Sequence, residues 1–419
     1  MNNHSFRIRA PLSESMRAAA LPFAVVLLCA ASPAADGGKG TIRMISPDSA
    51  TGTSAAVMVS GAHLAHTTQI LPLGADGTVQ DKGDAGRQAG RCMELVDAAL
   101  REAGSELGRV VKLHICVASA DKLADVQQVL SLRFSAGIKP AVTMVVSASP
   151  NPDALVAMDA VAATDSTPKP TAAGLISSDR LKALGGGAVV GILPANTRSV
   201  YVSGQSAAGD LAEATRRTLD SLKRTLDFIV VKPNQVVQMK AFMAPATNVA
   251  SVRTELSRFF GTNTVPPLVV VEWVAPQSIE IELIATTGDL PASMRETVSF
   301  ATPPGLPASP LFSRVAVLNS GAHIYVGGMQ GAVQADPGAQ IRTAFGALEA
   351  VLKETEGSMR HLLKATYYVT DEPTTAELSK VRMGVFDPRR PPAATKATVR
   401  SVGPGRTLLM DMIATPVAR

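Results

Sequence analysis

Two carboxylates on alternate residues, Glu280 and Glu282, stand in the run Ile279–Ala285. Side chains two apart on a strand share a face, so this pair could share a proton and hold one carboxyl protonated for acid–base work. Solvation, or pairing with Arg253, Lys240 or another exposed cation, accounts for the same pair without chemistry. Acids recur at the matching place in two similar runs, Asp159 in Ala154–Ala162 and Asp411 in Leu408–Ala414. Amides end two further segments, Gln69 in His63–Gln69 and Gln205 in Ser199–Gln205; they could line a cleft with donors or cap a turn. A third such segment, His323–Met329, ends in methionine, leaving Gln330 to substitute. His63 and His66 are three apart on a strand and face opposite ways, which is wrong for a shared metal. No metal or cofactor is expected. There is no Ser-His-Asp order and no phosphate loop, and Gly185-Gly186-Gly187 reads as a linker.

The elements that must position these residues occur three times. Each opening strand is followed by an amphipathic helix, a β-rich strand, a second helix and a closing strand. The first helices are read at Ala89–Ala103, Asp210–Phe228 and Ile341–Thr355 from apolar residues at 3.6-residue spacing. The strands after them are Val110–Val117, Val236–Met243 and Leu362–Val369. The period is far too long for a solenoid unit, so each repeat is a domain. Repeat one spans about 41–164, repeat two 185–287 and repeat three 313–419. The joins 165–184 and 288–312 have the Pro, Gly, Ser and Thr content of linkers. The order predicts an α+β fold, a mixed sheet with two helices on one face in each repeat. In the first closing strand Val156, Met158, Ala160 and Ala162 lie on one side, with Ala157, Asp159 and Val161 on the other. Both sides are largely apolar, so the helix-free faces of three sheets are expected to pack together.

Ser203-Gly204-Gln205, the helix after an Asp, the Val-Val strand and Ile279-Glu280-Ile281-Glu282-Leu283-Ile284-Ala285 resemble the Rid family, also called YjgF or L-PSP, the reactive-intermediate deaminases. The resemblance covers all three repeats. It implies chorismate-mutase-like domains assembled as an intramolecular pseudo-trimer, with ligand clefts between neighbouring repeats and one chain replacing a homotrimer. It further implies hydrolysis of enamines and imines to keto acids and ammonia. An Arg two residues after a Pro would hold the substrate carboxylate, and the first Glu of the closing strand, here Glu280, would handle water. The chain departs from that pattern. The Arg position reads Pro140-Ala141-Val142, Pro266-Pro267-Leu268 and Pro392-Ala393-Ala394, with Lys396 the nearest cation in the last. The first acid survives only as Glu280, Ala157 and Leu409 replacing it, whereas the second persists as Asp159, Glu282 and Asp411. Arg253 falls where the family commonly has an Asn beside the cleft and could replace the missing clamp.

Hydrophobic residues make up 46% of the 419 and aromatic residues 4%, a globular composition without the stacking rings of a single-strand nucleic-acid platform. Ribonuclease activity, linked to L-PSP relatives, finds no basic cluster here. Arg7, Arg9 and Arg17 precede the apolar run 18–31 and a small-residue stretch, the pattern of a secretory signal over residues 1–35. Its ~14 apolar residues fall short of a membrane span. Cleavage would export the chain and lower its net charge from +5 to +3. Cys92 and Cys116 then remain, a possible disulfide or two buried thiols. Three functions fit: an exported binder of a small molecule such as an imine or keto acid, an imine or enamine deaminase with a substituted clamp, and a scaffold without a ligand site.

Overall fold

A computed structural model describes residues 40–167, 172–184, 187–262, 264–293, 295–333 and 335–417. The expected signal segment and its arginines lie outside the described residues. Repeat one comprises β1 (Thr41–Asp48), β2 (Thr53–Ser60), β3 (His63–Thr67), α1 (Ala85–Glu102), β4 (Val110–Val117), α2 (Leu123–Arg133), β5 (Ala141–Val146) and β6 (Val156–Thr164). Repeat two comprises β7 (Gly174–Ile176), β8 (Val190–Leu193), β9 (Thr197–Ser206), α3 (Leu211–Phe228), β10 (Val236–Met243), α4 (Val249–Phe260), β11 (Leu268–Glu272) and β12 (Ile279–Asp289). Repeat three comprises β13 (Val298–Ala301), β14 (Val315–Leu318), β15 (Ala322–Val326), β16 (Met329–Gln330), α5 (Pro337–Glu354), β17 (Leu362–Val369), α6 (Glu372–Val385), β18 (Ala393–Thr398) and β19 (Leu408–Ala414). The fold is α+β. The Pro-rich joins expected as linkers carry the short strands β7 and β13, which sit at sheet edges where no ladder continues.

The three long helices start alike. Asp84, Asp210 and Asp336 cap α1, α3 and α5, accepting from the backbone N–H of Arg87, Glu213 and Ala339 at 2.9, 2.9 and 3.0 Å. Each aspartate satisfies one of the helix's orphan donors, a contribution of about 1 kcal/mol. The apolar stripe of α1, Cys92, Met93, Val96 and Leu100, then buries against Val156, Met158 and Ala160 of β6. Cys92 and Cys116 are buried free thiols, and burial pushes Cys116 up to about 12.

The order of strands shows a cyclic exchange. In each repeat the parallel strand, central strand, closing strand and opening strand lie side by side, as in β5-β4-β6-β3. The hairpin that completes the sheet comes from the next repeat. β8 pairs with β3, with Ala65 opposite Ile192; β14 pairs with β9, with Val317 opposite Val200. β2 closes the circle by pairing with β15, with Ile324 opposite Met58. The turns leading out of these hairpins meet one another. Gly61 N–H donates to the Gly321 carbonyl, and Ala195 N–H donates to His63 Nδ1 at 3.1 Å.

The helix-free faces are covered as expected. Val57, Leu64, Val111 and Val161 pack with Leu193, Val237 and Tyr325, and Tyr201 packs with Ala316, Leu363 and Ala393. These contacts join all three repeats and fit a pseudo-trimer. Among the described residues no helix is long and apolar enough to cross a membrane.

Candidate active site: one open cleft beside a charged axis

The second acids of the three closing strands converge on the axis between the repeats. Asp159, Glu282 and Asp411 line one cavity of about 60 Å3 together with Lys112, Lys240, Lys364, His66, His114 and Gln238. Their partners follow the same cyclic order as the hairpins. Lys112 of repeat one meets Asp411 of repeat three at 2.6 Å, and Lys364 of repeat three meets Glu282 of repeat two at 2.5 Å. Repeat two has Gln238 at that place, and its amide donates to the Thr67 carbonyl instead. Asp159 is served by His114 Nδ1 at 2.8 Å, whose Nε2 lies 3.1 Å from the Tyr368 hydroxyl. Buried charges persist when paired in this way. Burial pushes Asp411 up, but Lys112 and Lys240 hold it down at about 2. Burial drives His66 to about 4, so its ring is neutral near pH 7.

The first-acid position, two residues earlier on the same face, meets an interface between repeats. At the interface of repeats one and two the position is Ala157, and the contact is closed by Gln69. Its N–H donates to the Leu268 carbonyl at 3.0 Å and its side-chain amide to the Val270 carbonyl at 2.8 Å. Leu409 occupies the position at the interface of repeats three and one, where Gly328 N–H donates to the Val142 carbonyl at 2.8 Å. A side chain added at Gly328 would come within 2.8 Å of Leu409 Cδ1.

The interface of repeats two and three differs. Glu280 lines a cleft of about 490 Å3 with Gly204, Gln205, Arg314, Arg382, Thr395 and Lys396. Gly204 N–H donates to Thr395 Oγ1 at 3.0 Å across the interface. A Cβ there would lie 1.8 Å from Glu280 Oε1, so the absence of a side chain at Gly204 leaves Glu280 its seat. Gln205 donates to Thr225 Oγ1 at 2.8 Å and leaves its Oε1 without a protein partner. Lys396 Nζ reaches Thr375 Oγ1 at 3.4 Å. Glu280 and Lys396 also line a second chamber of about 450 Å3 with Trp273, Gln277, Glu372 and Thr398. Burial raises the Glu280 carboxyl, and the nearby Glu282 charge raises it further; Lys364, Arg314 and Lys396 oppose them. The outcome is about 7, poised to give and take a proton near neutrality.

Of the residues singled out from the sequence, Glu280, Gln205 and Lys396 come together in this cleft. Asp159, Glu282 and Asp411 face the axis, so Glu282 is committed to Lys364 rather than sharing a proton with Glu280. Gln69 is tied to the backbone of repeat two. Arg253, on α4, is not among the described side chains lining the cleft, and burial lowers its pKa. Lys240 stands on the axis. The cations missed by sequence reasoning are Arg382, on α6, and Arg314. Arg314 directly precedes β14, and its carbonyl accepts from Ser203 N–H. The carbonyls doing this service at the other two interfaces belong to Val189 and Ala55, accepting from Thr68 and Gly327. Comparing those three hairpin starts would have found Arg314.

A family model described as Endoribonuclease L-PSP matches residues 46–164, 190–287 and 306–415. Similar solved structures include NMB1025, a YjgF-family protein of Neisseria meningitidis, at 20% identity over 29% of this chain and 97% of that one, with a TM-score of 0.23. Another is Rv2704 of Mycobacterium tuberculosis, of the YjgF/YER057c/UK114 family, at 24% identity over 22% of this chain and 78% of that one, with a TM-score of 0.21. The Rid-family protein YyfB of Yersinia pestis is 24% identical over 29% of this chain and 98% of that one, with a TM-score of 0.27. No curated protein matches. With its model matched three times over most of the length, the chain belongs to the Endoribonuclease L-PSP family, the YjgF or Rid proteins, and carries three tandem copies of the family's unit.

Proposed function

We propose that the chain hydrolyses small carboxylate-bearing imines or enamines in a single cleft, between repeats two and three, with Glu280 as the proton-transfer group. The observation that carries this reading is the placement of a carboxyl poised near neutrality opposite Arg314 and Lys396 in an open cleft. In its charged form Glu280 takes a proton from water as that water adds to the carbon of the protonated imine, giving a carbinolamine. The carboxyl then returns this proton to the nitrogen, and the C–N bond breaks as the carbonyl forms. The hydroxyl proton passes back to Glu280 as the keto acid and ammonia leave, so acid and base roles alternate on one group. Arg314 and Lys396 supply charge-assisted donors for the substrate carboxylate, the task the family gives to an Arg missing from all three Pro-x-x positions. The other two clefts serve architecture, their acids replaced by Ala157 and Leu409.

Residues 1–35 are proposed to direct export, the mature chain acting as a monomer in place of a homotrimer. N-terminal sequencing of secreted protein and its mass in solution test both points. The function is tested by ammonia release from freshly generated 2-aminoacrylate. Turnover in the wild type that collapses in Glu280→Gln supports the reading; release no faster than the uncatalysed rate sinks it.

A further inference from the structure

The chamber on the Gly204 side of Glu280 carries more positive charge than one carboxylate needs. Its cations come from three separate elements: Arg314 from the segment before β14, Arg382 from α6 and Lys396 from β18. Against them stands a single lining carboxylate, Glu280. Arg382 is held in place, one Nη donating to the Leu311 carbonyl and its guanidinium lying 4.5 Å over the Tyr367 ring. It is only 5% exposed, yet its Nε has no protein partner, and neither has the Nε of Arg314. A buried donor left unpaired costs free energy, and a half-enclosed cluster of one sign concentrates ligands of the other. A single carboxylate, with Glu280, would still leave one of the three cations uncompensated.

We propose that this chamber binds a dianionic group, a dicarboxylate or a phosphate monoester, with Arg314, Arg382 and Lys396 as its three anchors. The proposal rests on the reading of this cleft as the ligand site, and it names the class of substrate. Gln205 Oε1, buried and without a partner, accepts from an amino or hydroxyl group on the same ligand.

Titration calorimetry on the full chain with succinate, inorganic phosphate and butyrate tests this. Succinate and butyrate share a four-carbon chain and differ by one carboxylate. At least one dianion is expected to bind about tenfold or more tighter than butyrate, and Arg314→Gln should weaken it about 10- to 100-fold, the loss of one charge-assisted contact. Glu280→Gln should tighten the same dianion several-fold by removing the opposing charge, a gain that a merely misfolded variant could not give. Binding of succinate alone assigns a dicarboxylate, binding of phosphate alone a phosphate ester, and binding of both the shared chemistry. Butyrate binding as well as either dianion, or neither dianion binding, overturns the proposal. Ammonia release from 2-aminoacrylate and from the imine of a dicarboxylic keto acid separates the two readings: dianion binding without turnover of either retires the hydrolase alone, and turnover without dianion preference retires the dianion alone.

Discussion

The interface of repeats two and three and the interface of repeats three and one are built on the same backbone plan and end in opposite states. In both, an N–H from the end of an opening strand crosses to the neighbouring repeat's parallel strand: Gly204 to Thr395, Gly328 to Val142. In the first, Glu280 faces Arg314 and Lys396 across open space. In the second, Leu409, 2% exposed, fills the equivalent position and Ala55 stands at the hairpin start. Two side chains per interface thus distinguish the Glu280 cleft from its counterpart, without a change of fold. Function in this architecture lives in positions that the scaffold leaves free to vary.

The contrast breaks most sharply at Glu280. Glu280→Gln is expected to lower turnover about 10²- to 10⁴-fold, the range for losing a general acid–base group, with the melting temperature retained. Activity persisting in that variant would mean that one of the closed interfaces works after all. Lys364→Met tests whether the axis supports the open cleft. Removing one partner of a buried ion pair costs about 3–5 kcal/mol, read from urea unfolding, because Glu282 loses its direct partner and keeps only the more distant Lys240 charge. Gly204→Ala should cost less, about 1–3 kcal/mol in the same measurement, while pushing Glu280 from its seat and lowering turnover at least about tenfold. The smallest effect is a slope with pH. Glu280 titrates near 7 in the folded chain and near 4.5 when unfolded, so between those values the folded state binds more protons. The Glu280 contribution to stability therefore falls as pH rises from about 4.5 to about 7, against an opposite slope from His66 and His323, whose burial lowers their pKa to about 4 and about 3. The melting temperature of the wild type minus that of Glu280→Gln, followed across that window, should decline, because the variant keeps the histidines and loses only the Glu280 proton.

Much of this was legible in the sequence because it is local. The ladders at Val110–Val117, Val236–Met243 and Leu362–Val369 follow from β-rich runs after amphipathic helices, and they are the strands observed. The apolar content on both sides of β6 announced that its second face would be covered. What escaped depends on contacts between distant segments. β2, β8 and β14 each precede the opening strand of their own repeat, and nothing in their composition says that they pair with another's. Arg314 escaped for the same reason, since its cleft position depends on which sheet its hairpin joins. Asp159, Glu282 and Asp411 were assigned to the correct face but not the correct depth. Two residues along a strand, about 7 Å, separates the interface from the axis.

The hairpin of residues 41–60 has a consequence for what the chain can become. It completes the sheet of the last repeat, so the first repeat is latched to the third. A solenoid can gain or lose a unit because each unit touches only its neighbours. Here every unit lends two strands and borrows two, and the loan from first to last closes the circuit. Removing one repeat would leave a sheet with an uncovered edge, and adding a fourth would leave a lender out of reach of its borrower. Sequence divergence can therefore replace the first acid at individual interfaces, as at Ala157 and Leu409, without discarding the repeats that carry them. The two closed interfaces persist as the frame that holds the open one.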